Sequence, residues 1–370
     1  MPWRREIPRG LTVDGLSYRH AGSPPSAMAL DGVSFTLAPG RLLAVVGHSG
    51  AGKSTLLSLI AGFERAQRGT ISCGGARWDD LPPAERGIGL SFDDAALHEH
   101  LTVAENLDAA ARARNEPRER RAVRIQSVAD TLGIASLLTR KPATLSAGER
   151  RRAAIGRAFI ASPSLVLLDE PFANLDRGNR FTVRRMVHEL QRTTGATAIL
   201  VTHDPTDALA IADDLLVLIG GRVRAHGAAS EIATAPPDLE VAQLVDDLGM
   251  HVVELQGGIP PSDCLIEPRW LERARTDAGE GDLLLGVRPW HLRLGDPRQP
   301  SIAIDARVVA LEPAGVFVDV IARRANGRAL RARVPRIEAQ DLPTGANARF
   351  HIHEEEIHLF HGVWPGRRVR

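Results

Sequence analysis

Residues 47–55 read GHSGAGKST. Glycines at this density let a backbone curl so that successive N–H groups point inward at an anion. Lys53 adds a compact positive charge, and Ser54 adds a hydroxyl that suits a hard divalent cation such as Mg²⁺. The stretch fits G-x-x-x-x-G-K-[ST] in full, so Gly47, His48, Ser49, Gly50, Ala51, Gly52, Lys53, Ser54 and Thr55 are read as a cradle for a phosphate chain. A helix opening at its end would aim its positive N-terminus at the same anion.

Two further stretches supply matching chemistry. SLVLLDEP (164–171) ends in two acids. Asp169 is placed to hold Mg²⁺ together with Ser54, and Glu170 to orient or deprotonate an attacking water. TAILVTHD (197–204) ends in His203, read as a contact to the outermost phosphate. LSAGE (145–149) precedes a helical pattern, and Ser146 with Glu149 makes a capping box. Its helix start, with Gly148 in the first turn, is also an anion site. Facing its own phosphate loop it would be redundant; facing that of a second copy it would close a dimer.

These residues need a scaffold that brings distant segments to one rim. RLLAVVG (41–47), SLVLLDEP, TAILVTHD and DLLVLIGGR (214–222) are short, continuously apolar runs, as in strands buried on both faces of a parallel sheet. Helical periodicity separates them, so an α/β layered domain is predicted. Ligands sit at the carboxyl ends of such strands, which places Gly47, Asp169 and His203 together. From about residue 248 the segments become short, β-branched and punctuated by glycine and proline: HVVEL, LLLGV, SIAIDARVVAL, GVFVDVIA, ALRARV, ARFHIH and EIHLF. That spacing predicts an all-β barrel or sandwich. The boundary is placed near 240, giving domains at 1–240 and 241–370.

Composition narrows the class. The 370 residues are 44% hydrophobic and 25% charged, with a formal charge of +1. No global field favours nucleic acid or an anionic membrane. Cys73 and Cys264 lack metal spacing and imply a reducing compartment without a disulfide framework. No run approaches the ~18 apolar residues of a membrane span, and the charged N-terminus lacks a signal peptide's apolar core. Any membrane work would need another chain to do the spanning.

Taken together, the motifs resemble the ATP-binding subunits of ABC transporters: GHSGAGKST as Walker A, LSAGE as signature, LVLLDEP as Walker B, ANLD (173–176) as D-loop and His203 as switch histidine. LPPAERGIG (81–89), HLTVAENL (100–107), TRKPATLS (139–146) and GVRPWHLRL (286–294) are similar to maltose-type import ATPases with a C-terminal OB-like (TOBE) extension. The resemblance implies a P-loop NTPase fold of ABC type followed by that extension, with ATP and Mg²⁺ as cofactors. Glu170 would be the catalytic base and His203 the γ-phosphate contact. Ser146 and Gly148 would reach ATP on the opposite subunit, with Asp176 at the seam between the two sites. It further implies a dimer of ATPase subunits, two transmembrane permeases docked through residues 93–106, a solute-binding protein acting indirectly, a solute of carbohydrate type, and a place on the cytoplasmic face of the membrane.

Departures from the family pattern mark points to test. Asp93 stands where the family has a glutamine that contacts Mg²⁺ and the lytic water; the shorter, anionic side chain suggests slower hydrolysis or altered coupling. Ala147 and Glu149 replace glycine and glutamine in the signature, and Ala147 is harmless only at negative φ. The adenine-stacking position falls on His20. Tyr18, two residues earlier and expected on the same strand face, is the alternative. The histidines of FHIHEEEIHLFHG (350–362) are read as an exposed strand face rather than a metal site. A soluble or hydrolysis-impaired ABC protein with an OB-type nucleic-acid-binding or regulatory domain is the competing function. Against nucleic acid, Trp270, Trp290, Phe317, Phe350, Phe360 and Trp364 are scattered rather than interleaved with basic residues.

Overall fold

The structure, a computed structural model, describes residues 9–24, 27–92, 97–112, 117–279, 281–296, 301–362 and 365–369. The chain divides into two compact units between Ile232 and Ala233.

The first unit runs β1 (Leu11–Tyr18), β2 (Leu30–Leu37), β3 (Leu42–Val46), α1 (Lys53–Ala61), β4 (Arg68–Cys73), β5 (Ala76–Arg77), β6 (Ile88–Ser91), α2 (Val103–Ala111), α3 (Arg118–Thr131), α4 (Ala147–Ile160), β7 (Leu165–Asp169), α5 (Arg177–Thr194), β8 (Ala198–Val201), α6 (Pro205–Ile211), β9 (Asp214–Ile219) and β10 (Arg222–Ala228). The four apolar runs become β3, β7, β8 and β9. They lie in a sheet of order β10-β9-β3-β8-β7-β6, parallel along the described pairs except where β10 returns antiparallel to β9. Every residue of β3, β7 and β8 is buried, which explains why their sequences do not alternate. A smaller antiparallel sheet, β2-β1-β4-β5, contributes Leu11, Val13, Leu30 and Ile71 to the same core as the parallel strands.

Helix α1 shares that core through Leu56, Leu57, Leu59 and Ile60. Glycines bound it. Gly52 precedes it at φ 98° and Gly62 ends it at φ 83°, both left-handed. Gly62 N–H returns to the Leu59 carbonyl at 3.1 Å, a closing turn that only glycine adopts without strain. The last carbonyls are then met by Arg86, whose Nη1 donates to Leu59 and Ile60 oxygens at 2.8 and 2.7 Å. A buried cation at a helix C-terminus also complements the macrodipole.

The second unit follows α7 (Ala229–Thr234), in which the division falls. It comprises α8 (Leu239–Val245), β11 (His251–Leu255), β12 (Cys264–Leu265), α9 (Pro268–Ala278), β13 (Leu283–Val287), β14 (Arg293–Leu294), β15 (Ser301–Ala314), β16 (Phe317–Arg324), β17 (Ala329–Pro335), β18 (Asn347–His353), β19 (His358–His361) and β20 (Arg367–Arg368). All described pairings are antiparallel, in sheets ordered β11-β13-β19-β20 and β14-β18-β15-β16-β17. This is the OB-like extension, with one addition. Helix α9 interrupts the β pattern: Pro268 opens it, and Trp270, Leu271, Ala274 and Ala278 recur at helical spacing toward the core.

One expectation is corrected in this unit. His351 and His358 are buried, not on an exposed face. His351 Nδ1 lies 2.9 Å from the Gly295 carbonyl, and His358 Nδ1 accepts from Arg368 Nη1 at 2.7 Å. Burial, with Arg288 and Arg368 nearby, pushes the His358 pKa down to about 3, so it stays neutral as an acceptor. Trp270, Phe350 and Phe360 also pack inside, leaving Trp290 and Phe317 exposed among the aromatics described there. An aromatic platform for bases is not assembled from these five. Cys73 and Cys264 are both free and buried.

Candidate nucleotide and hydrolysis site

The parallel sheet delivers its polar strand ends side by side. β3, β8 and β7 are adjacent, so the loop after Val46, the Thr202–His203 turn and the Asp169–Glu170 pair leave one edge of the sheet. The phosphate loop is tightly drawn. A Cβ on Gly47 would meet the Leu218 carbonyl oxygen at 2.3 Å. Gly50 and Gly52 hold φ of 79° and 98°. Ala51 N–H bonds the His48 carbonyl at 3.1 Å, closing the turn.

Lys53 opens α1 and is buried. Its ammonium donates to the Gly47 and His48 carbonyls at 2.7 and 3.1 Å. Burial lowers its pKa, opposed by the negative fields of Glu170 and Asp169. Asp169 at the end of β7 and Glu170 just after it thus both act on the lysine's charge. Ser54 is exposed in the first turn, and Asp169 is buried at the end of β7, on which α1 packs. A hydroxyl and a carboxylate form an all-oxygen donor pair, which fits Mg²⁺ and not a thiophilic metal.

Glu170 departs from ordinary backbone geometry. Its φ is 46°, one of three positive values among described non-glycine residues, with Ser162 and Asn174. The left-handed kink costs on the order of 1 kcal/mol or more for a side-chain-bearing residue. Two contacts hold it: Glu170 N–H donates to the Val201 carbonyl at 2.9 Å, and both carboxylate oxygens stand 2.9 Å from His203 Nδ1.

The signature helix α4 starts as its sequence reads. Glu149 N–H donates to Ser146 Oγ at 3.3 Å, and Ser146 N–H donates to Glu149 Oε2 at 2.8 Å. Ala147 has no positive φ and carries no strain. Gly148 is unconstrained: among the described residues, a Cβ there meets nothing closer than Leu175 Cδ2 at 3.8 Å. Asp176 caps α5, accepting from Gly178 and Asn179 N–H at 3.0 and 3.1 Å. Arg151 of α4 donates to the Phe92 carbonyl at 3.1 Å, tying α4 to the end of the β6 segment. Asp93 lies outside the described residues, as do the next three of the docking stretch. In the remainder, Thr102 and Glu105 form a capping box for α2. Asn106 holds the preceding turn through His98, Leu101 and Thr102 backbone groups.

At the adenine position the two rings touch edge to face, with centroids 5.0 Å apart, but differ in exposure. Strand β1 ends at Tyr18, so His20 stands just beyond the strand. Tyr18 is buried and its hydroxyl donates to Glu64 at 2.8 Å. His20 is exposed, its Nε2 3.3 Å from Thr55 Oγ1.

Sequence reasoning missed three arginines. Arg86 buttresses α1; Arg180 and Arg184 of α5 meet Asp204 and Asp207 just after His203. None of them stands out from its neighbours in an arginine-rich chain.

This fold and strand-end site define a P-loop ATPase of the ABC type. The ABC transporter family matches residues 30–173, and the TOBE domain matches residues 285–360. The sn-glycerol-3-phosphate import ATP-binding protein UgpC of Rhizobium meliloti (strain 1021) is 37% identical over 83% of this chain and 86% of its own. That of Rhodopseudomonas palustris (strain BisA53) is 34% identical over 91% and 94%. A solved ATP-binding subunit of an ABC transporter superposes with a TM-score of 0.54 at 31% identity, covering 60% of this chain and 91% of that one. An ATP-binding cassette described as dimeric, in a post-hydrolysis state with ADP and Pi, shares the fold at a TM-score of 0.53 and 24% identity over 59% and 98%. The chain belongs to the ABC transporter family, as an ATP-hydrolysing import subunit with a TOBE extension. Among the described residues no helix is long and apolar enough to cross a membrane.

Proposed function

We propose that residues 47–55 bind the triphosphate of ATP and that Glu170 and His203 carry out its hydrolysis. One observation supports this above the rest: the cradle, the acids and the histidine leave adjacent strands β3, β7 and β8 at one edge. Loop N–H groups and the α1 N-terminus hold the phosphates. Lys53 leaves its two carbonyls for phosphate oxygens. Ser54 and Asp169, with Asp93, hold Mg²⁺, which when bound neutralises charge on the outer phosphates. Glu170 takes the proton of the attacking water. His203 spans the Glu170 carboxylate and the γ-phosphate and keeps the base aimed.

Two chains share each ATP. Gly148 supports this reading: nothing described within the chain needs a glycine there, whereas a phosphate approaching the α4 N-terminus from outside does. Ser146 and Gly148 then serve the ATP held by the partner's loop, and Asp176 lies at the seam. His20 stacks on adenine. The dimer drives two permease subunits on the cytoplasmic face of the membrane, fed by a solute-binding protein. The cargo class is a carbohydrate or a small polyol phosphate, supported by the names of the relatives.

The test is Mg-ATP turnover by the purified chain against protein concentration, with Glu170→Gln as blank. Turnover per chain that rises with concentration and vanishes in the variant supports the shared site. Turnover independent of concentration removes the dimer, and turnover that persists in the variant removes Glu170 as base.

A further inference from the structure

His203 stands exposed on a turn, yet its ring must hold a fixed place against Glu170. The strand behind it fixes the backbone as far as Thr202, whose N–H donates to the Val45 carbonyl at 3.1 Å. Beyond His203 the chain enters α6, only seven residues long. A helix this short has little stability of its own and needs tertiary anchors.

The anchors come from α5. Arg180 and Arg184 are one helical turn apart and therefore on one face. Arg180 Nη1 pairs with Asp204 Oδ2 and lies 3.7 Å from Asp207 Oδ2. Arg184 Nη1 is 3.3 Å from Asp207 Oδ1 and donates to the Thr206 carbonyl at 3.2 Å. Asp204 is doubly committed, because its Oδ1 also caps α6 through Thr206 N–H at 2.9 Å. Asp207 is 2% exposed, so its charge is poorly screened by water and is met by these two guanidiniums.

The other end of α5 is the functional seam. Asp176 caps it, Arg180 N–H donates to the Asp176 carbonyl at 2.8 Å, and six residues back along the chain stands Glu170. One rigid helix thus joins the D-loop cap to the residue that follows His203.

We propose that Arg180 and Asp204, backed by Arg184 and Asp207, are positioning residues that transmit the placement of α5 to His203. Arrival of a second chain at Asp176 fixes α5; the ion pairs fix Asp204; Asp204 fixes the adjacent His203 ring against Glu170. Hydrolysis is thereby timed to dimer closure while ATP binding, which uses β3 and α1, is left alone. The inference rests on the shared-site reading above.

The test is a double-mutant cycle of Arg180→Met and Asp204→Asn, with Arg180→Lys as the conservative variant. Asparagine keeps an oxygen for the cap of α6 and removes the charge and the second acceptor that meet Arg180. Each single variant is expected to lower kcat for ATP about tenfold, the scale of a mispositioned catalytic group, with KM within twofold. The double variant is expected to lose no more than either single one, and Arg180→Lys to recover part of the loss. In a Glu170→Gln background, light scattering should still report ATP-induced dimers for the clamp variants. Additive losses, a rise in KM at constant kcat, or clamp variants that fail to dimerise would overturn the proposal. If Arg180→Met does not fold, Asp204→Asn and Arg180→Lys carry the same kcat and KM comparison. If Glu170→Gln alone forms no dimer with ATP, the shared-site reading fails instead.

Discussion

Nδ1 of His203 lies 2.9 Å from both carboxylate oxygens of Glu170, across the ends of two adjacent parallel strands. The acid reaches that place through a left-handed backbone, φ 46°. A histidine that grips a carboxylate this way restrains the base rather than replacing it. Glu170→Gln should therefore keep ATP affinity and lower kcat by at least ~100-fold, the usual share of a general base. Phosphate release under single turnover, beside a fluorescent-nucleotide titration, measures both. A loss below tenfold would remove Glu170 as base.

Glycines 52 and 148 should separate stability from function. Gly52→Ala meets the Ala29 carbonyl oxygen at 2.5 Å and a φ of 98°. It should cost about 2 kcal/mol or more in urea unfolding. Gly148→Ala sits in a helix with open space and should leave stability unchanged or raise it by up to ~1 kcal/mol. Its ATP turnover should nonetheless fall at least tenfold. Full turnover in Gly148→Ala would contradict the second-chain contact.

The two rings near the adenine position predict opposite phenotypes. Tyr18→Phe loses the hydroxyl bond to Glu64 and should cost about 1 kcal/mol of stability with unchanged nucleotide affinity. His20→Ala should weaken ATP binding several-fold without lowering the melting temperature, and His20→Tyr should tighten it. Equal nucleotide affinity across the His20 series would discard stacking there.

Asp207 carries a pH signature. Its pKa is pushed up to about 6, first by burial and then by Asp204 and Glu170, with Arg180 and Arg184 pulling it down. The folded chain then binds more protons than the unfolded one between the unfolded pKa, near ~3.9, and about 6. Stability from this group is greatest at the acid end of that window and declines as pH rises through it. Asp207→Asn cannot titrate and should lack this slope. The wild-type chain should lose on the order of 1–2 kcal/mol more than the variant between pH 4.5 and 7, read from urea midpoints. Parallel pH curves would rule the group out.

Much of the first unit was legible because its signals are local. An apolar run closed by a polar residue becomes a buried strand ending at the rim, as β3, β7 and β8 do. Ser146 with Glu149, and Thr102 with Glu105, form their boxes from residues three apart. What escaped was long-range. Arg86 meets carbonyls more than twenty positions away, and Arg180 meets Asp204 across a strand and a turn. Helix α9 was hidden because strand signals on both sides set the expectation, although Trp270 and Ala274 carry the helical spacing. The buried histidines failed for a different reason. Alternation shows which residues share a face but not whether that face is covered, and His351 faces inward.

Lys53 has a consequence for which ligands the loop admits. Its ammonium already holds two carbonyls of its own loop, so the cradle comes with an internal counter-ion. A newcomer must outbid those dipoles to gain entry. A neutral nucleoside offers nothing in exchange, and a monophosphate reaches few of the inward N–H groups. Only a polyanion long enough to replace both bonds at once gains by opening the loop. If residues 47–55 take the triphosphate as proposed, this arrangement would act as a charge threshold that grades adenosine, AMP and ATP before any contact with the base.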